Sequence, residues 1–172
     1  LRSIHTKIVN WHPHVFGDLN LERASDVLLN WERLKEQERA AKGNADTSLL
    51  DGVAMALPAL VQAEQYQKRA ARVGFDWPEV KGVLDKVDEE LAEVNAANNH
   101  ADREDEIGDL LFAVVNLARW YGVDPESALR AANQRFRKRF AFIEKEARKQ
   151  ARSVSDLNLD EMETLWQEAK KV

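Results

Sequence analysis

Two neighbouring stretches of this chain carry one and the same pattern, and that pattern restricts the fold to packed helices. Between Pro78 and Ala97, apolar side chains recur at Val80, Val83, Leu84, Val87, Leu91 and Val94. Between Asp102 and Tyr121 they recur at Ile107, Leu110, Leu111, Val114, Leu117 and Ala118. Both are stripes of 3.6-residue period, the mark of a helix with one apolar side. Asn98-Asn-His-Ala101 joins them, a connector short enough to turn the second helix back onto the first. Each stripe is bordered by a pair of acids three residues apart, Glu90 and Glu93, then Glu106 and Asp109. Residues three apart lie one above the other on a helix.

The rest of the chain agrees with an all-α fold. Its 172 residues contain only seven glycines and four prolines, while Ala, Leu, Glu, Lys and Arg abound. Strand-like alternation is absent. Leu1 to about Trp11 reads as the end of a helix, broken by His12-Pro-His-Val-Phe-Gly-Asp18. A charged helix is expected from Leu21 to Lys42 and a polar connector from Gly43 to Gly52. Pro58 opens a helix to about Val73. Gly74-Phe-Asp-Trp-Pro78 is a turn, with Asp76 or Trp77 near the next cap and Pro78 just inside that helix. Gly122 suits a helix end, and Asp124-Pro125 starts another as cap and first-turn proline. That helix carries Leu129, Ala132, Phe136, Phe140 and Ile143 toward a core. A last helix, Leu159 to Lys171, presents Met162, Leu165, Trp166 and Ala169. The chain starts at Leu1 without an initiator Met, as expected of a fragment or processed form.

Charge and composition exclude several functions. A net charge of -5 is opposite to the basic footprint of a nucleic-acid binder. Without cysteine there are no disulfides, thiolate zinc sites or cysteine nucleophiles, consistent with a cytoplasmic protein. No signal peptide and no apolar run of membrane-spanning length is present, so no membrane partner is expected.

The acids carry the chemistry. Placed at about 100° per residue, Glu90 and Glu106 each border their stripe. Glu93 and Asp109 each lie about 60° further out on the same flank. Packed antiparallel, the two helices bring four carboxylates into one partly buried groove. Asp85, Asp88 and Asp105 fall off this flank. A single pair of this kind is usually solvated surface charge. Two matched pairs are harder to dismiss, because each like-charge neighbour costs ~0.2–0.5 kcal/mol with no folding benefit. A hard divalent cation resolves the repulsion, Mg2+ first and Mn2+ as a substitute. Di-iron bundles need Glu-x-x-His on two helices, and no histidine follows either glutamate here. His12 and His14 flank a proline with no third ligand in view, so they are not assigned to metal.

The cations and one aromatic are more ambiguous. Arg135 and Arg139 lie four apart beside the Phe136/Phe140 stripe, suited either to phosphate oxygens or to a neutralised surface pair, which spacing alone favours. Arg103, one turn before Glu106, either meets phosphate or pairs with Glu106 or Asp102. Trp166 and Lys170 are also four apart. The indole either stacks on a base, with the ammonium on phosphate, or belongs to the core. Trp77 is open in the same way.

Four segments together resemble a known family. Gln67-Lys-Arg-Ala-Ala-Arg-Val-Gly-Phe-Asp-Trp-Pro78, Glu89-Glu-Leu-Ala-Glu-Val94, Asp105-Glu-Ile-Gly-Asp-Leu-Leu-Phe-Ala-Val-Val-Asn-Leu-Ala-Arg119 and Ala132-Asn-Gln-Arg-Phe-Arg-Lys-Arg-Phe140 are similar to MazG nucleoside triphosphate pyrophosphohydrolases. The family's E-x-x-E, gap, E-x-x-D motif falls on Glu90, Glu93, Glu106 and Asp109. Its closing helix matches Leu165-Trp-Gln-Glu-Ala-Lys170. Arg135 stands where many relatives carry Lys. His12–Asp18 and Ser48–Val53 look like the segment between the two repeats of the long form. The resemblance therefore implies an inter-repeat segment over 1–57 and a catalytic domain over 58–172.

It further implies a MazG-type helical bundle whose four-helix core is completed by a homodimer. The implied reaction is Mg2+-dependent cleavage of nucleoside triphosphates, standard or aberrant, between the α and β phosphates, releasing a monophosphate and pyrophosphate. The four acids would hold the metal, and Glu90 is one candidate to accept the water's proton. Arg135, Arg139 and Lys170 would hold the departing pyrophosphate, with Arg103 near the groove and Trp166 at the base or sugar. The implied physiological role is cleansing the nucleotide pool of aberrant triphosphates, or broad NTP turnover. The contrasting reading is a catalytically inactive helical dimerisation or regulatory module that binds nucleotide. The intact set of clustered like charges argues against it.

Overall fold

The computed structural model describes residues 48–171. The helices expected at Leu1–Trp11 and Leu21–Lys42, the His12–Asp18 break with His12 and His14, and the start of the Gly43 connector lie outside the described residues. Regular structure among the described residues is helical throughout, with no strand. Five α-helices follow in order: α1 (Ala59–Arg72), α2 (Val80–Ala96), α3 (His100–Trp120), α4 (Pro125–Lys149) and α5 (Leu159–Ala169). A single 3₁₀ turn at Val154–Asp156 precedes α5. The all-α expectation holds. The described residues divide between Gly122 and Val123 into two compact units.

Local chemistry sets most helix ends. Asn99 caps α3, its side chain accepting from the Asp102 N–H at 2.9 Å. Such a cap contributes about 1 kcal/mol. Asp124 caps α4 through the Ser127 N–H at 2.6 Å, with Pro125 in the first turn as expected. Asn158 and Glu161 form a reciprocal capping box on α5. Gly74 and Gly122 end α1 and α3 in the left-handed region, at φ 87° and 66°. The start of α2 differs from expectation. Pro78 lies outside the helix, Glu79 is its cap residue, and no side chain caps it. Asp76 is engaged elsewhere, as described below.

In the first unit, α3 packs against both α1 and α2. Val83 and Val115 are its fully buried side chains. Each contributes roughly 1.5–3 kcal/mol by leaving water. The apolar stripes are only partly covered, however. Leu84 and Leu91 of α2, and Ile107, Leu111 and Val114 of α3, remain exposed. Residues 48–57 are strapped to α1. Arg69 donates to the carbonyls of Leu49 and Gly52 at 2.9 and 2.8 Å, and Gln62 Nε2 donates to those of Met55 and Leu57 at 3.0 and 2.7 Å.

In the second unit, α4 folds back through the 3₁₀ turn onto α5. Ile143, Ala147 and Leu157 form the core, with Val154, Met162, Leu165 and Trp166 packed on it. Arg152 clamps Glu161 through two nitrogens, at 2.7 and 3.0 Å. Of the α4 stripe expected to face a core, only Ile143 is buried, while Leu129, Phe136 and Phe140 are exposed.

Candidate functional site

The α2–α3 pair brings Glu90, Glu93 and Glu106 together. One carboxylate oxygen from each lies within 4.8 Å of the others. Spacing accounts for this: Glu90 and Glu93 lie on one flank of α2, and the short Ala97–Asn99 connector returns α3 alongside it. Glu90 is buried, Glu106 half-buried and Glu93 exposed. Asp109, one turn beyond Glu106, is exposed and lies outside this group of three. Its charge is nonetheless felt there. The Glu106 carboxyl is pushed above its ordinary value of 4.5, first by lost hydration, then by the charges of Glu93, Glu90, Asp109 and Asp105.

Glu90 shows the site's chemistry most clearly. Lys86, one turn earlier on α2, forms an ion pair with its Oε1 at 2.6 Å. The same ammonium meets exposed Glu89 at 2.8 Å. These hydrogen bonds, to Glu89 first and then Glu90, raise the Lys86 pKa well above its ordinary value. Glu90 Oε2 is buried and has no hydrogen-bond partner. A buried carboxylate oxygen without a donor is costly unless a cation meets it. An all-oxygen donor set with one orphaned buried oxygen fits a hard divalent cation. Asp85, Asp88 and Asp105 are exposed, as expected of surface charge, and Asp85 is held by Lys81 at 2.5 Å.

Arg103 pairs with neither Glu106 nor Asp102. Its Nη2 donates to the Ala97 carbonyl at 2.8 Å, closing the connector between α2 and α3. Trp77 lies half over Gly82, where a Cβ would stand 2.7 Å from the indole Cε3. Two further buried polar groups sit on α1, Glu64 and Gln67. Glu64 is paired with Lys68 at 2.8 Å. Gln67 Nε2 donates to the Phe112 carbonyl at 2.8 Å, leaving its buried Oε1 unpartnered.

Within the second unit, Arg135, Arg139 and Trp166 do come together. With Ala132, Asn133 and Phe136 they line an open recess of about 320 Å³. The Arg139 guanidinium lies 5.4 Å from the Trp166 ring centre, within cation–π range. Phe136 meets Trp166 at 5.3 Å, tilted by 53°. Trp166 packs on the core of this unit and also lines the recess. Lys170 does not line the recess; its ammonium is 3.0 Å from the Gln167 amide oxygen.

Comparison with known proteins connects these features. The profile of the phosphoribosyl-ATP pyrophosphohydrolase family matches residues 58–136. A nucleoside triphosphate pyrophosphohydrolase of Escherichia coli (strain K12) is 44% identical over 174 residues, covering 98% of this chain and 65% of that protein. The nucleoside triphosphate pyrophosphohydrolase/pyrophosphatase MazG of Thermotoga maritima is 38% identical over 170 residues, 99% of this chain and 64% of that protein. The chain is thus similar to MazG-type nucleoside triphosphate pyrophosphohydrolases over nearly its whole length. It spans about 65% of the length of the Escherichia coli relative. It is also 43% identical to the uncharacterized protein YabN of Bacillus subtilis, over 99% of the chain and 35% of that protein.

Lys86, Glu64 and Gln67 were absent from the sequence-based set. For Lys86 a signal existed, because it stands four residues before Glu90 in the segment that carries the motif. For Glu64 and Gln67 there was none, since polar residues on a helix ordinarily face solvent.

Proposed function

We propose that this chain hydrolyses nucleoside triphosphates to nucleoside monophosphate and pyrophosphate in a Mg2+-dependent reaction. The observation that carries the proposal is the convergence of Glu90, Glu93 and Glu106 within 4.8 Å, with a buried and unpartnered Glu90 oxygen among them. The names of the relatives support the same chemistry.

Glu90, Glu93 and Glu106 are the proposed metal ligands, with Asp109 as a fourth carboxylate supplied by the motif. A bound divalent cation supplies Lewis-acid polarisation of the phosphoryl group and a lowered pKa for the attacking water. The chain's own residues do the rest. Glu93 and Asp109, exposed at the rim, are open to an incoming hydrated ion. Arg135, Arg139 and Lys170 are proposed to bind phosphate oxygens and stabilise charge on the departing pyrophosphate. Trp166 is proposed to meet the base or sugar. Arg103 is assigned to the substrate by position, and its bond to Ala97 also supports the connector between the ligand-bearing helices.

The catalytic domain is taken as 58–172, preceded by an inter-repeat segment over 1–57, and the chain is taken as cytoplasmic. No helix among the described residues is long and apolar enough to cross a membrane. A homodimer is proposed because Leu84, Leu91, Ile107, Leu111 and Val114 stay exposed on the helices that carry the acids.

Pyrophosphate release from a panel of standard, oxidised and methylated NTPs and dNTPs, with Mg2+ and with EDTA, tests the proposal. Metal-dependent pyrophosphate with a matching monophosphate is the expected result. Orthophosphate as product, or turnover that survives EDTA, would overturn it.

A further inference from the structure

Lys86 has a role that neither packing nor a surface ion pair explains. An exposed Lys–Glu pair on a helix needs only Glu89, which is exposed and already 2.8 Å from the ammonium. Lys86 reaches past it to Glu90, whose side chain is 5% exposed, and closes to 2.6 Å on Oε1. A positive charge therefore rests directly on the most buried member of the carboxylate cluster. Glu90 Oε2 stays buried and without a donor on the other side of the same carboxylate.

If the acids are metal ligands, as proposed above, the ammonium and the ion act on one carboxylate. Both neutralise Glu90, and they repel each other across it. We propose that Lys86 is a tethered competitor of the metal ion. It compensates Glu90 when no ion is bound, and it lowers the affinity of the bare cluster for a free divalent cation. A single and a double positive charge about 5 Å apart repel enough, even at the dielectric of water, to change affinity on the order of tenfold. The loss of one side-chain contact is smaller, so the electrostatic effect sets the sign.

The test is a calorimetric titration of Mg2+ into the metal-free full chain, without nucleotide, for wild type, Lys86→Gln, Lys86→Met and Lys86→Arg. Lys86→Gln keeps a donor for Glu90 but no charge, Lys86→Met keeps neither, and Lys86→Arg keeps both. Binding on the order of tenfold tighter is expected for Gln and Met, with Arg near wild type. Thermal unfolding gives a second readout. Lys86→Met should melt lower than wild type in EDTA and recover the difference in Mg2+. If wild type binds Mg2+ and the two neutral variants bind it equally or more weakly, the competitor role is overturned while the metal assignment stands. If no variant binds Mg2+, the metal assignment itself fails, and this inference with it.

Discussion

Arg119 Nη2 donates to Asp76 Oδ1 at 2.5 Å, joining the Gly74–Pro78 turn to the end of α3. Asp76 also accepts from the Trp120 indole at 3.2 Å and from the Trp77 N–H at 2.9 Å. Burial alone would raise its pKa, but the Arg119 bond and charge, with the Trp120 and Trp77 donors, hold it below its ordinary 3.8. The turn that orients α2, and with it Glu90 and Glu93, is thus fixed by one carboxylate.

Asp76→Ala should cost about 2 kcal/mol, because it leaves a partly buried guanidinium and an indole N–H without their acceptor. Urea unfolding measures it. The stabilisation belongs to the ionised form, so it is present above pH 3.8 and is lost as pH falls further. A wild-type unfolding midpoint for the variant at pH 7 would show that the turn holds without this bond.

Glu106→Gln should separate folding from metal binding. Glu106 is harder to ionise in the fold than in the unfolded chain, where its value is 4.5. Its ionisation therefore lowers stability as pH rises above that value. In EDTA the variant should melt higher than wild type at pH 7, and the advantage should vanish below pH 4. In Mg2+ the order should reverse, and Mg2+-dependent turnover should fall at least about a hundredfold, a scale set by loss of electrostatic stabilisation at a reacting phosphoryl group. Turnover that survived intact would remove Glu106 from the metal site.

Glu161 offers the opposite pH sign. The Arg152 fork, then the Asn158 N–H, pulls its carboxyl down to about 2, against 4.5 unfolded. Its contribution is present above 4.5 and disappears as pH falls toward 2. Glu161→Gln should lower the melting temperature of the second unit at pH 7 and match wild type near pH 2. A constant difference across that range would assign the loss to packing.

Gly82→Ala tests how closely Trp77 approaches α2. Alanine is favoured over glycine in a helix interior by about 1 kcal/mol. Here the new Cβ would stand 2.7 and 3.0 Å from Trp77 Cε3 and Cδ2. Displacing a ring costs about 1–3 kcal/mol, so the variant should be less stable despite its propensity. In a Trp77→Ala background the same change should become neutral or stabilising. Chemical unfolding of the four-member cycle gives the coupling directly.

Much of the fold was legible because the signals are local. The Asp124 cap, the first-turn Pro125 and the left-handed Gly74 and Gly122 all act within a few residues of themselves. The start of α2 misled for the same reason. Asp76 looks like a cap from its neighbours, yet its strongest partner is Arg119, 43 residues away. Arg103 sits one turn from Glu106 on the same helix, but its guanidinium reaches back to Ala97 instead.

The sequence by itself determined that the chain is helical, where the helices turn, and that matched acids lie on equivalent flanks of α2 and α3. Propensity, caps and a 3.6-residue period suffice for that. Only the tertiary structure decided that Glu90, Glu93 and Glu106 converge while Asp109 stands apart, that Lys86 rests on Glu90, and that part of each apolar stripe faces outward. Periodicity fixes the angle of a side chain about its own helix. It does not fix the rotation or height of the neighbouring helix, and distances between oxygens on α2 and α3 depend on both.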